Sequence, residues 1–138
     1  KGLLVPPDFI LLKARLLSDG NYTKEAKAVL KQNSLDEFLM PKNKVEYQYR
    51  LGRIFQKENQ LDSAVFYFQR TIDIDNKVEA YFGANACYLI GNIYERQGKE
   101  IEALEYYQKC YTMNGYEYNN SIKQKAKAGI NRLKKNLW

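Results

Sequence analysis

Lys123, Lys125, Lys127, Arg132, Lys134 and Lys135 stand in residues 119–138 with no acidic residue among them. The remainder of the chain is electrically balanced, so this stretch carries the whole formal charge of +6. Wound as a helix, at about 100° per residue, Lys123, Lys127 and Lys134 fall along one flank of an apolar stripe. Lys125 and Arg132 fall along the other flank. A basic strip of this kind suits nucleic acid, an acidic protein or an anionic membrane surface. It equally suits a solvated helix end, because cations are stabilised near a helix C-terminus. Single-strand binders interleave aromatics with their cations. Only Trp138 stands near these lysines, which weighs toward the solvated end.

Catalytic chemistry has little to work with. The chain has no histidine, which removes the commonest general base and the commonest metal ligand. Cys87 and Cys110 are too few for a disulfide framework. Both lie in helical patterns, where unpaired cysteine is expected as a small buried residue. Glu100, Glu102 and Glu105 gather at a helix start and are expected to be solvated. No glycine-rich phosphate loop, metal-spaced Cys/His cluster or nucleophile elbow is present. The expectation is a non-catalytic chain with no cofactor, no metal and no small-molecule substrate. Its twelve tyrosines are expected mainly as wedges between helices, with hydroxyls at the rim.

The elements that must position these groups are helical. Pro6-Pro7-Asp8 opens a first helix, with Phe9, Ile10, Leu12, Ala14, Leu16 and Leu17 as its apolar face. Asp19-Gly20-Asn21 ends it, with Gly20 expected at positive φ, and Thr23 is placed to cap the next helix. Residues 33–43 read as a linker with a short helical turn before Pro41. Further helices follow over about 42–58, 61–75, 78–97, 100–113 and from 121 on. No stretch alternates apolar and polar residues over a strand length, and no apolar run is long enough for a membrane span. The length suits one domain with a modest core.

A period organises these helices. Leu51-Gly52, Phe55, Ala64 and Phe68 recur as Ile90-Gly91, Tyr94, Ala103 and Tyr107, 39 residues on. Ala14 lies 38 residues before Gly52, and Gly129 lies 38 after Gly91. Small residues let antiparallel helices approach, and glycine or alanine on the first helix is expected to face alanine on the second. One pair leaves an apolar face bare, and stacked pairs cover it.

This pattern resembles the tetratricopeptide repeat family, whose signature runs leucine-glycine, tyrosine, alanine, phenylalanine. Gln48 and Cys87 stand where that family has tryptophan, and Asn76 and Gly115 where it has proline. The resemblance implies an all-α, right-handed solenoid of antiparallel helix pairs. One domain spans 1–138, with pairs at about 8–33, 42–75 and 78–113 and a capping helix at about 121–137. The chain begins with Lys1 and is expected to be the C-terminal block of a longer repeat protein. A cytoplasmic setting is expected ahead of a periplasmic one.

The resemblance also implies a concave groove lined by the first helix of each pair. Its groove positions correspond to Tyr49, Arg53, Gln56 and Lys57, then Tyr88, Asn92, Glu95 and Arg96. Tyrosine, arginine and amides side by side suit an extended peptide or a partner helix. Some members hold a terminal carboxylate with a lysine–asparagine clamp. Tyr49, Arg53 and Leu89 occupy those positions here, so that clamp is not expected, although Lys123 and Lys127 match its last cations. The first expectation is a scaffold that holds a protein or peptide partner in the groove, an acidic partner being one of the two readings of the basic last segment. The second is a structural end-cap that self-associates, and the third is nucleic-acid contact through the basic last helix.

Overall fold

A computed structural model describes residues 6–33, 38, 40–75, 80–113 and 119–137. Three turns of one construction join its helices in pairs. Asn21, Asn59 and Gly98 take positive φ, at 69°, 60° and 77°. The amide after each reaches back to the carbonyl five residues earlier: Tyr22 to Leu17 at 2.8 Å, Gln60 to Phe55 at 2.9 Å and Lys99 to Tyr94 at 2.9 Å. This is the Schellman closure, which satisfies the last helical carbonyls and takes Gly or Asn at the left-handed residue. Two of the sequence expectations change here. Gly20 sits at φ −83°, and Asn21 makes the turn. Thr23 is the first helical residue, and no side chain caps that helix.

The helices are α1 (Pro7–Asp19), α2 (Thr23–Lys31), α3 (Pro41–Lys57), α4 (Leu61–Ile74), α5 (Ala80–Arg96), α6 (Glu100–Thr112) and α7 (Asn119–Leu137). No strand occurs among the described residues. The helical turn expected before Pro41 falls largely outside them. Pro41 itself opens α3, where its missing N–H is no loss. At the start of α5 the Gly83 amide donates to Asp75 Oδ2 at 2.8 Å, so a carboxylate from the end of α4 sits at the positive end of α5.

Within the second and third pairs the close approach is glycine against a ring. A Cβ added to Gly52 would lie 2.5 Å from the Phe68 ring, and one added to Gly91 would lie 2.5 Å from the Tyr107 ring. The expected glycine–alanine meeting is thereby corrected. Ala64 and Ala103 are buried, but the ring four residues further on fills the space that glycine leaves. Gly129 of α7 faces the opposite edge of the same Tyr107 ring, at 2.6 Å from an added Cβ. Tyr107 is therefore clasped between two glycines, one on α5 and one on α7.

The pairs stack asymmetrically. α3 packs on α1 and α2, α5 on α3 and α4, and α7 on α5 and α6. α2, α4 and α6 share no close backbone approach, although Gln69 Nε2 of α4 donates to Tyr106 Oη of α6 at 2.9 Å. The first helices thus form a closed inner row and the second helices a splayed outer row, which makes the inner row concave. This is an all-α helical-repeat solenoid. A continuous core runs through α1–α5 and includes Leu11, Ala14, Leu30, Ile54, Phe68 and Ile90. Polar contacts fix the stacking register: Tyr47 Oη donates to Leu30 O at 2.9 Å, and Lys27 pairs with Glu58 at 2.7 Å. The helical face expected on α1 divides. Ile10, Leu11 and Ala14 are buried, but Phe9 is 62% exposed, Leu12 41% and Leu16 56%, because no helix among the described residues lies on that side.

Candidate functional site

The inner row is built by the first helix of each pair, and its two ends differ in electrostatics. Between α1 and α3 lies an open cavity of about 270 Å³ lined by Arg15, Asp19, Tyr49, Arg50, Arg53 and Lys57, with Tyr81 of α5 at its edge. Four cations face one carboxylate there. Arg50 Nε donates to Glu46 Oε2 at 3.0 Å, and its guanidinium carbon lies 5.3 Å from the Tyr49 ring centre and 5.6 Å from that of Phe82. Lys57 Nζ donates to Ser18 O at 2.7 Å, at the negative end of α1. Neither Arg15 nor Arg53 has an acidic partner within ion-pair distance among the described residues.

Tyr49 is the wall of this cavity rather than a free contact. It is 5% exposed, and its ring centre lies 5.9 Å from that of Phe68 and 5.0 Å from that of Phe82. Its hydroxyl accepts from the Asn85 amide. Burial pushes the Tyr49 phenol up, against the opposing fields of Arg53 and Arg50. Tyr49 thus stands on the cavity lining, with most of its ring absorbed by the aromatic cluster between α3, α4 and α5. Arg53 and Gln56 are half-buried on the inner side of α3.

At the other end the polar groups serve the molecule itself. Tyr107 Oη donates to Glu95 Oε1 at 2.7 Å and lies 2.7 Å from Asn92 Oδ1. Arg132 of α7 donates from Nε to Glu95 Oε2 at 2.7 Å and from a second nitrogen to Oε1 at 2.8 Å. That two-point bond with Arg132, aided by Tyr107, holds the Glu95 carboxyl below the usual carboxylate range. Burial and the Glu95 carboxylate together push the Tyr107 phenol up. Tyr88 packs its ring 5.8 Å from Tyr107, and Arg96 is exposed. Asn92 therefore ties α6 to α5, and Glu95 ties both α6 and α7 to α5.

The basic strip lies on α7, with Lys127 and Lys134 exposed and Lys123 half-buried. Lys127 and Lys134 border a shallow groove of about 310 Å³ between α6 and α7, shared with Tyr111 and Ile130. Arg132, read from sequence as one more flank cation, is instead the partner of Glu95. Sequence reasoning also missed Arg15 and Arg50. Arg15 had a signal: it follows Ala14 as Arg53 follows Gly52, at the same point of the repeat.

Both cysteines are free and buried. Burial pushes each thiol up to about 12, so neither supplies a thiolate nucleophile near neutral pH. Among the described residues no group of three or more His, Cys, Asp or Glu is placed to hold a metal ion. No helix among them is long and apolar enough to cross a membrane.

The tetratricopeptide repeat model matches residues 45–78 and 84–116. Each match starts within the first helix of a pair and ends just past the second, covering α3–α4 and then α5–α6. No curated protein matches the chain. The glycine–ring contacts, the recurring Schellman turns and the two matched repeats agree: this chain belongs to the tetratricopeptide repeat family.

Proposed function

We propose that the chain is a non-catalytic scaffold that holds a segment of a partner protein along the concave row α1–α3–α5. Tetratricopeptide repeats generally mediate protein–protein interactions. The observation that carries the reading for this chain is the open cavity on the concave side. It is walled by an immobilised aromatic, Tyr49, and edged by Arg15 and Arg53, which have no acidic partner among the described residues. A rigid wall with adaptable polar groups at its rim is the composition of a recognition surface. Arg53, Gln56, Tyr88 and Arg96 are the contact residues in this reading. Tyr49, Asn92 and Glu95 support them from behind.

The test is selection of displayed peptides on the immobilised chain, followed by hydrogen-exchange footprinting of the best binders. Protection confined to α1, α3 and α5 supports the reading. Protection of α2, α4 and α6, or failure to select any peptide, refutes it.

A second reading, self-association, is favoured by the exposed row Phe9, Leu12 and Leu16 with Tyr22 at 58% exposure, which surrounds a shallow apolar cavity of about 360 Å³. Light scattering of the wild type and of Leu16→Glu decides it. A concentration-dependent dimer that the substitution abolishes supports the reading, and a monomer at all concentrations excludes it.

A further inference from the structure

We infer that the α1–α3 cavity is an anion site that selects an extended acidic peptide segment with carboxylates on alternating residues; this rests on the concave face holding a partner segment. Four cations and one carboxylate line the cavity of about 270 Å³, and with Glu46 bound to Arg50 the surplus is two positive charges. Like charges gathered over a concave, partly desolvated surface repel one another, and their field is strongest where the surface curves inward. Two of the cations are held in place by other contacts but retain donors. Arg50 uses one N–H on Glu46, and Lys57 uses one on Ser18 O. An arginine offers five donors and a lysine three. Arg15 and Arg53 have no acidic partner among the described residues. Stacking between Tyr49 and Phe82 keeps Arg50 in position before any ligand arrives.

The arrangement favours several carboxylates over one compact anion. Arg50, Arg53 and Lys57 follow one another at i, i+3 and i+7 on α3. At 1.5 Å rise per residue these positions span roughly 10 Å along the helix axis. An extended strand returns to the same side about every 6.6 Å. Two or three acidic side chains on alternate residues match that row, whereas a single phosphate reaches one or two of its members. Arg15 closes the row from the facing helix. The opposite end of the concave face already carries the same chemistry inside the molecule, where the Glu95 carboxylate takes two donors from Arg132.

The experiment is fluorescence anisotropy with the full chain and a labelled peptide in which three glutamates alternate with serines. Comparison peptides replace every glutamate by glutamine, or carry one phosphoserine and no glutamate. The glutamate peptide is expected to bind at least tenfold more tightly than either, with affinity falling as salt rises. Arg15→Glu/Arg53→Glu is expected to lose at least tenfold. The charge-matched control Lys125→Glu/Lys135→Glu, two exposed sites on α7, is expected to change less than twofold. Helicity by circular dichroism is checked for each variant, and Arg15→Glu alone serves if the double variant is unfolded. Equal losses in the two double variants, equal binding of the glutamine peptide, or tighter binding of the phosphoserine peptide would overturn the inference. Selected peptides that footprint on the inner row without acidic bias would end this inference and leave the scaffold reading standing.

Discussion

Replacing Gly52 by alanine is expected to destabilise the chain, although alanine is the better helix former. On an exposed helical site the exchange stabilises by about 1 kcal/mol. At Gly52 the new methyl would meet two Phe68 ring carbons at 2.5 Å, with a third at 3.1 Å. Ordinary carbon contacts sit near 3.5–4.0 Å, so the ring has to move by about 1 Å. Phe68 is 0% exposed and packs against Tyr49, so the shift passes to its neighbours. Overpacking of this kind costs about 1–3 kcal/mol. Set against the propensity gain, the expected net loss is about 0–2 kcal/mol, or a Tm lowered by up to several degrees for a chain of this length. Thermal and urea unfolding followed by circular dichroism measure it. Phe68→Leu in the same background trims the ring and is expected to recover part of the loss, giving a non-zero coupling between the two sites. A higher Tm for Gly52→Ala, or the absence of coupling with Phe68→Leu, would refute the claim that the glycine–ring contact sets the distance between α3 and α4.

Two further predictions concern titration and reactivity. The Glu95 carboxyl is depressed mainly by its bond to Arg132, so its contribution to stability is full above the ordinary carboxylate value of about 4.3 and is lost as pH falls through the lower folded value. Glu95→Gln is therefore expected to flatten the acid limb of the stability–pH curve, and hydrogen exchange in α7 is expected to rise in that variant; an unchanged acid limb contradicts it. The Cys87 and Cys110 thiols, pushed up to about 12 by burial, are expected to resist alkylation at pH 8 in the native chain and to react at once in denaturant. Rapid native labelling would show that the core around α5 and α6 opens.

The repeat was legible because its signal is local. Gly52 with Phe55, and Gly91 with Tyr94, recur at one spacing, and helical geometry turns that spacing into a face. The buried cysteines and the inward face of α7, with Ile122, Ala126, Gly129 and Leu133 buried, were read for the same reason. Errors began where a neighbour decides the outcome. Phe9, Leu12 and Leu16 look like core from composition alone, yet they lie on a side of α1 that no described helix covers. Tyr49 lines the inner-face cavity at the register expected, but how much of its ring is left open was decided by Phe68 and Phe82.

What the amino-acid sequence by itself determined was the helix-pair architecture, the family and the absence of histidine, all properties of residue identity and short-range spacing. What only the tertiary structure decided was which charges remain available. Arg132 and Glu95 stand 37 residues apart and satisfy each other because α7 lies on α5. Arg15 and Arg53, 38 apart, share a cavity because α3 packs on α1. Whether a charge is paired depends on distance through space, and that distance is set by the stacking of whole helices rather than by any local run of residues.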